Sequence, residues 1–158
     1  MRHVLQSCVL FWALMAPAAF AEVVWHCSRS AGPEFEQETQ LVPKDTFTLA
    51  GLGDLQGVIE ISLSDLINVF SGVSVKLGSL PLSACFKPVN DPETVQAMQA
   101  LGLNVESFSA LARKSAIVKS HLYRVTDEAE MKACIGRHHP AVGYLKEAVT
   151  LDRLSPCF

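Results

Sequence analysis

The stretch that decides the fold runs from His121 to Leu145 and reads HLYRVTDEAEMKACIGRHHPAVGYL. Apolar and polar side chains alternate over His121–Val125, a pattern typical of a short strand. Thr126 can then cap a helix, because acidic residues fill the turn that follows it. The apolar side chains that follow at helical spacing, and predict one buried helix face, are Met131, Cys134 and Ile135.

The second half of this stretch predicts a stop, a turn and another strand. Gly136 is expected to end the helix in the left-handed conformation, and Arg137–Pro140 forms the turn. The compact apolar run Ala141–Leu145 is typical of a buried strand. A strand, a crossover helix and a second strand together predict an α/β layered sheet.

A second element lies upstream, at Ile61–Gly72, with the sequence ISLSDLINVFSG. Ser62 or Ser64 can cap a short helix, and Gly72 is expected to end it. The side chains predicted to form its core-facing stripe are Leu63, Leu66, Ile67 and Phe70.

These two segments resemble phosphate-type periplasmic solute-binding proteins, above all their short, single-module relatives. Ala141–Leu145 resembles that family's "G-A-I-G-Y" strand, and Ile61–Gly72 resembles its "L-S-x-x-x-L-x-x-I-F-x-G" helix. The likeness covers about Ser62 to Leu145, whereas the chain before Ile61 matches poorly. The resemblance implies a minimal or truncated type II periplasmic-binding-protein-like fold, a layered sheet with flanking helices.

The family's anion site has an altered counterpart in this chain. The resemblance implies a Ser-Gly-Thr-like loop at the start of a helix, where free amides hold phosphate. At the matching positions this chain reads KPVNDPET, from Lys87 to Thr94. Asn90 or Asp91 can cap the helix, and the carboxylates of Asp91 and Glu93 would repel an oxyanion. Lys87, Asn90 and Thr94 remain candidate ligand-binding residues, and a capped structural helix is the alternative.

A further candidate site follows the first predicted strand, Glu22–Cys27. In α/β sheets the loop after a strand commonly faces the ligand crevice. Ser28, Arg29 and Ser30 offer hydroxyl and guanidinium donors there. The alternative is a solvated turn broken by Gly32–Pro33.

Residues 1–21 are predicted to be a signal peptide, because a short apolar run precedes the small-x-small site Ala19–Ala21. The domain is then expected to span residues 22–158 and to be periplasmic, with no membrane span after signal removal. The whole chain has 13 basic and 16 acidic residues, so loss of Arg2 changes the net charge from -3 to -4. This balance does not favour nucleic acid as a partner.

Four cysteines remain after the predicted signal, an even number that indicates two disulfides in an oxidising compartment. Sequence does not choose among the three pairings. Our hypothesis joins Cys27 to Cys157, tying the two ends, and Cys85 to Cys134 within the body. A zinc site is the rival interpretation, but the usual ligand spacings are missing, and His138–His139 is interpreted as a surface turn. We therefore expect neither a metal nor another cofactor.

The rest of the chain predicts alternating short elements. Strands are expected at Thr46–Ala50, Val73–Leu77 and Thr150–Leu154. One helix is expected to begin after Asn90 or Asp91 and to end at Gly102. Another is expected to begin at Asn104 or Ser107, with its inward side chains being Phe108, Leu111 and Ala112.

Two functions are consistent with these patterns. The first is a non-catalytic interaction or accessory module of the cell envelope, working through a protein partner. The second is a receptor for phosphate, another oxyanion or a small polar solute in transport or sensing. No G-x-S-x-G or H-E-x-x-H motif is present, so we do not expect an enzyme.

Overall fold

The computed structural model describes residues 22–29, 40–43, 58–115 and 121–158. The predicted signal peptide at 1–21, Ser30 and the predicted strand at Thr46–Ala50 lie outside these residues. The elements in chain order are β1 (Val24–Ser28), β2 (Gln40–Pro43), β3 (Val58–Ile61), α1 (Leu63–Phe70), β4 (Lys76–Leu77), β5 (Leu80–Pro81), β6 (Ser83–Phe86), α2 (Pro92–Ala100), α3 (Val105–Ser115), β7 (Leu122–Arg124), α4 (Glu128–Arg137), β8 (Ala141–Leu145) and β9 (Leu154–Pro156).

The centre of the fold is a mixed five-stranded sheet in the order β7-β6-β8-β1-β9. β6 is parallel to both β7 and β8, whereas β1 is antiparallel to both β8 and β9. The unit β7-α4-β8 is therefore a crossover between parallel strands, as the sequence predicts, but β6 lies between them. The mixed α/β class is confirmed.

Helices cover both faces of this sheet. Two neighbouring residues of β8 show this, since successive side chains of a strand point to opposite sides. At Gly143, an added Cβ would lie 2.7 Å from Ile135 Cδ1 and 2.8 Å from Met131 Sδ, so α4 packs directly on the β8 backbone. Tyr144 faces the other side and contacts the rings of Trp25 and Phe70, with centroids 5.7 and 6.4 Å away. The absence of a side chain at Gly143 thus sets how closely α4 approaches the sheet.

Both predicted disulfides are present. Cys27 in β1 is bonded to Cys157, and Cys85 in β6 is bonded to Cys134 in α4. The first bond joins residues that are 130 positions apart in the sequence, and the second joins residues that are 49 positions apart. They fasten the C-terminal strand and α4, respectively, to the sheet.

The sequence predicted the helix ends with mixed success. Asp91 caps α2, Asn104 Oδ1 accepts a hydrogen bond from the Ser107 amide, and Gly72 and Gly102 have φ of 80° and 68° at helix ends. The left-handed stop at Gly136 is wrong, because α4 continues through Arg137 and is capped by His138.

Three smaller predictions also need correction. Asp127, and not Thr126, caps α4, since its carboxylate accepts a hydrogen bond from the Glu130 amide. Leu63 is 50% exposed because it begins α1 directly after the Ser62 cap, so it does not belong to the buried stripe. The last strand is Leu154–Pro156, because Leu151 pairs with Leu154 across a tight turn.

One other prediction differs in extent, and one pair of strands was not predicted. The predicted strand at Val73–Leu77 shortens to a two-residue arm of a hairpin with β5, turned at Gly78. The parallel pair formed by β2 and β3 was not predicted.

Among the described residues, no helix has the length and apolar character needed to cross a bilayer.

Candidate functional site

Two predicted ligand residues lie together at the start of α2, because Thr94 is in its first turn and Lys87 contacts that turn. Lys87 directly follows β6, and the parallel neighbour β8 brings Tyr144 to the same end of the sheet. Both Lys87 and Thr94 are buried, with 5% and 0% of their surface exposed. The structure thus places a polar cluster at the helix end where the resemblance implies an anion site.

The centre of this cluster is a buried carboxylate held by two lysines. Glu93 Oε2 lies 2.5 Å from Lys87 Nζ, and Glu93 Oε1 lies 3.2 Å from Lys146 Nζ. The Glu93 and Lys87 side chains are almost fully buried, whereas that of Lys146 is 65% exposed. A buried charge is tolerated only when it is paired, so Lys87 and Glu93 depend on each other.

The Tyr144 hydroxyl joins this cluster to the backbone. It accepts a hydrogen bond from the Lys87 amide at 3.0 Å and lies 2.6 Å from Thr94 Oγ1. Thr94 Oγ1 donates to the Lys87 carbonyl at 3.2 Å, so the Tyr144 hydroxyl donates to Thr94. Burial raises the pKa of Tyr144, which keeps the hydroxyl protonated for this role.

The helix cap uses an amide that an anion would need. Asp91 Oδ1 accepts a hydrogen bond from the Glu93 amide at 2.9 Å, as is usual for a cap residue. The Asp91 amide in turn donates to the Pro88 carbonyl, and Asn90 is exposed in the same turn. The first turn of α2 therefore presents two carboxylates, from Asp91 and Glu93, beside its amides.

The candidate residues after the first strand lie elsewhere. Ser28 belongs to β1 itself and is fully buried. Its hydroxyl accepts a hydrogen bond from the Ala141 amide at 2.8 Å and lies within hydrogen-bond distance, 2.8 Å, of His139 Nδ1. The Arg29 amide donates to the Arg153 carbonyl at 2.8 Å. These contacts fasten β1 to the start of β8 and to the turn before β9.

The structure does not bring the two halves of the predicted site together, for a topological reason. Because β1 is antiparallel to β8, Ser28 meets Ala141 at the start of β8, whereas Lys87 meets Tyr144 near its end. The three-residue step from Ala141 to Tyr144 corresponds to about 10 Å along a strand.

A buried histidine, His26, holds the segment after β8. Its Nδ1 lies 2.9 Å from the Val24 carbonyl, and its Nε2 accepts a hydrogen bond from the Val149 amide at 3.1 Å. These partners place the single ring proton on Nδ1. Burial lowers the pKa of His26, and nearby Lys132 acts in the same direction while Glu128 opposes it. The imidazole is therefore neutral in the folded protein near pH 7.

The two adjacent histidines are partly buried and make specific contacts. The rings of His138 and Tyr123 stack with centroids 3.8 Å apart, and His139 contacts Ser28. Burial lowers the pKa of both imidazoles. Within the part of the chain that the structure describes, no group of three or more His, Cys, Asp or Glu side chains is arranged to hold a metal ion.

Sequence reasoning missed two members of the cluster, Tyr144 and Lys146. A signal for Tyr144 existed, since a hydroxyl in a buried apolar strand needs a hydrogen-bond partner. Lys146 follows the same strand, but its pairing with Glu93 depends on how β8 is placed beside α2. Glu93 itself was interpreted as a helix-end charge without its lysine partners.

Comparisons of the chain with protein families, with curated proteins and with solved structures find no match. The function must therefore be argued from the residues and their geometry.

Proposed function

We propose that the protein is a non-catalytic interaction or accessory module of the cell envelope, built on a minimal type II periplasmic-binding-protein-like scaffold. One observation carries this proposal. The Glu93 carboxylate lies between Lys87 and Lys146 at the helix end where a phosphate-binding relative would hold its anion. The chain thus supplies its own anion to that position.

A free oxyanion would compete poorly at this helix end. It would have to displace Glu93 from two ammonium groups, and the Asp91 cap already uses the Glu93 amide. A second unit charge about 4 Å from a carboxylate is repelled by about 4 kcal/mol at an effective dielectric constant of 20. That penalty is as large as the binding free energy of a ligand with a dissociation constant of about 1 mM, so it would cancel such binding.

The hydrogen-bonded pair formed by Ser28 and His139 also supports a non-catalytic role. Ser28 and His139 are hydrogen-bonded, but the Ser28 side chain is fully buried and its oxygen accepts the Ala141 amide. A nucleophile needs access to substrate and a free path for attack. The pair is better explained as a structural clip between β1 and β8.

The two disulfides support the cell-envelope part of the proposal, because such bonds form and persist in oxidising compartments. The predicted signal peptide at 1–21 leads to the same compartment. We therefore propose the periplasm as the compartment in which the protein acts.

The alternative function, an oxyanion receptor, is favoured by the convergence of two ammonium groups on one helix end. If Glu93 moved away, Lys87, Lys146 and the α2 amides would present a positive site. The calorimetric titration described next separates this alternative from the module.

Calorimetric titration of the protein with phosphate and with sulfate tests the proposal. We expect no saturable heat from the wild type at anion concentrations of about 1 mM. Glu93→Ala should gain weak anion binding, because Lys87 and the helix amides lose their internal partner. Glu93→Gln, which keeps the side-chain shape, is the second variant, and Glu106→Ala, at an exposed position of α3, is the matched control.

Saturable micromolar binding of either anion by the wild type would overturn the module and establish the receptor. Silence toward both anions, together with recovery of one specific protein by crosslinking in intact cell envelopes, is the result that the module predicts.

A further inference from the structure

A basic groove lies along α4, separate from the α2 cluster. One pocket of about 610 Å³ lies between α4 and the turn that precedes β9. An adjoining pocket of about 310 Å³ lies between α4 and β7 and shares Ala133 and Arg137 with the first. We call these two pockets together the α4 groove.

The groove is basic although the chain as a whole is acidic. Its lining holds four cations, namely Arg124, Lys132, Arg137 and Arg153. It also holds two carboxylates, Glu130 and Asp152. Since the full chain carries a net charge of -3, this surface is a local reversal of charge. Such a reversal attracts anionic partners to one face of the molecule.

The three arginines are available to a partner. All are exposed, and within the described residues none forms an ion pair with a carboxylate. Lys132 differs, because its ammonium lies 2.6 Å from Glu128 and holds the pKa of that carboxyl below its ordinary value. The Glu130 carboxylate is also engaged, accepting hydrogen bonds from the Thr126 amide and hydroxyl.

The lack of a side chain at Gly136 lets one arginine pack closely against α4. A Cβ added at Gly136 would lie 3.1 Å from Arg153 Cβ, so the stem of Arg153 rests on α4 next to Arg137. The Arg153 carbonyl is fixed from the other side by the Arg29 amide, at 2.8 Å. Two arginine side chains therefore leave neighbouring, well-anchored backbone positions, Arg137 on α4 and Arg153 on the turn that faces it across the first pocket.

We propose that the α4 groove binds an acidic peptide segment of a partner protein, an inference that rests on the proposed role as an interaction module. The cations are spread over two adjoining pockets, so a single tetrahedral ion could contact only some of them. Alternate side chains of an extended peptide lie about 6.6 Å apart, a spacing that lets successive carboxylates reach different arginines.

The carboxylates in the groove favour a peptide over a uniformly anionic surface. Asp152 and Glu130 would repel a membrane or a polysaccharide with charge at every position. A peptide can place neutral residues opposite them. Leu151, 48% exposed, adds an apolar contact beside Asp152.

Fluorescence anisotropy with a labelled decapeptide of alternating Glu and Ser tests this proposal on the full-length protein, exported so that its disulfides form. The matching Gln-Ser decapeptide is the uncharged control. Arg137→Gln and Arg153→Gln should each weaken binding about fivefold, and the double variant about twentyfold, as expected for exposed ion pairs. Arg113→Gln, on α3 at the opposite face of the sheet, makes the same charge change and should leave affinity within about twofold.

Three results would overturn the proposal: no binding of the Glu-Ser peptide, equal binding of the Gln-Ser peptide, or equal loss with Arg113→Gln. Tight binding of heparin without peptide binding would also overturn it, in favour of a polysaccharide. These outcomes leave the phosphate titration at α2 untouched, so failure of the groove and failure of the proposed function are distinguishable. Charge-conserving Arg137→Lys and far-UV circular dichroism separate loss of charge from loss of structure.

Discussion

Removal of the Lys87 charge should destabilise the protein strongly, although it removes only one side chain. In Lys87→Met the buried Glu93 carboxylate keeps one partner, Lys146, which is largely exposed. Breaking a buried ion pair on one side costs about 3 to 5 kcal/mol. Because Lys146 remains, we expect the lower end, about 3 kcal/mol.

The double variant Lys87→Met/Glu93→Leu should recover most of this loss. A buried ion pair replaced by apolar groups of similar volume is often neutral or stabilising, because neither charge then has to leave water. The loss of Lys146's partner costs little, since that side chain stays in solvent. The matched control is Lys132→Met, which removes the more exposed pair with Glu128 and should cost less than about 0.5 kcal/mol.

Urea unfolding followed by Trp25 fluorescence and far-UV circular dichroism measures these free energies. With a slope near 2 kcal/mol per M, Lys87→Met should lower the unfolding midpoint by about 1.5 M. The reasoning is refuted if Lys87→Met unfolds within about 0.3 M of the wild type. It also fails if the double variant is no more stable than the single one.

Three other changes test the surrounding structure by the same assay. Tyr144→Phe should cost about 1 to 3 kcal/mol, because the Lys87 amide loses its acceptor and Thr94 loses its donor; an unchanged midpoint would contradict that network. Below pH 6.5, the ordinary pKa of an unfolded histidine, stability should fall, since burial lowers the pKa of His26 and the unfolded chain takes up the proton first. His26→Gln should flatten this dependence by at most about 1.4 kcal/mol per pH unit, and an unaltered slope would argue against a neutral His26. Cys85→Ser/Cys134→Ser should cost about 4 kcal/mol from the loop that the bond closes, whereas a loss below about 1 kcal/mol would show that α4 docks without it.

The elements that the sequence predicted well are those with strong local signals. The unit from β7 to β8 combines alternation, helical spacing and an apolar run. The even cysteine count indicated two disulfides, whereas the pairing, which the structure confirms, was a hypothesis that the sequence could not select among three. Caps such as Asp91 were predictable because their side chains act within three residues.

The misplaced features depend on distant contacts. Gly136 looked like a stop, yet it lies within α4, where Arg153 packs closely against it and leaves little room for a side chain. Leu63 follows the helical stripe but lies at its solvent end. Such outcomes depend on which elements become neighbours, which helix periodicity does not encode.

The candidate site shows the same division. Lys87 and Thr94 belong to the segment that leads into α2 and were found, whereas Lys146 is distant in sequence and reaches Glu93 because β8 is the parallel neighbour of β6. Ser28 was assigned to the crevice on the assumption that β1 is parallel to its neighbours. Because β1 is antiparallel to β8, Ser28 lies at the other end of the sheet, against Ala141.

The central claim is that Glu93 occupies the position of an anion at the start of α2, and a crystal structure grown from concentrated ammonium phosphate tests it most directly. We predict that the Glu93 carboxylate will lie between the ammonium groups of Lys87 and Lys146, with no ion on the amides of Glu93 and Thr94. An ordered tetrahedral ion on those amides, with Glu93 turned away from Lys87, would contradict the account.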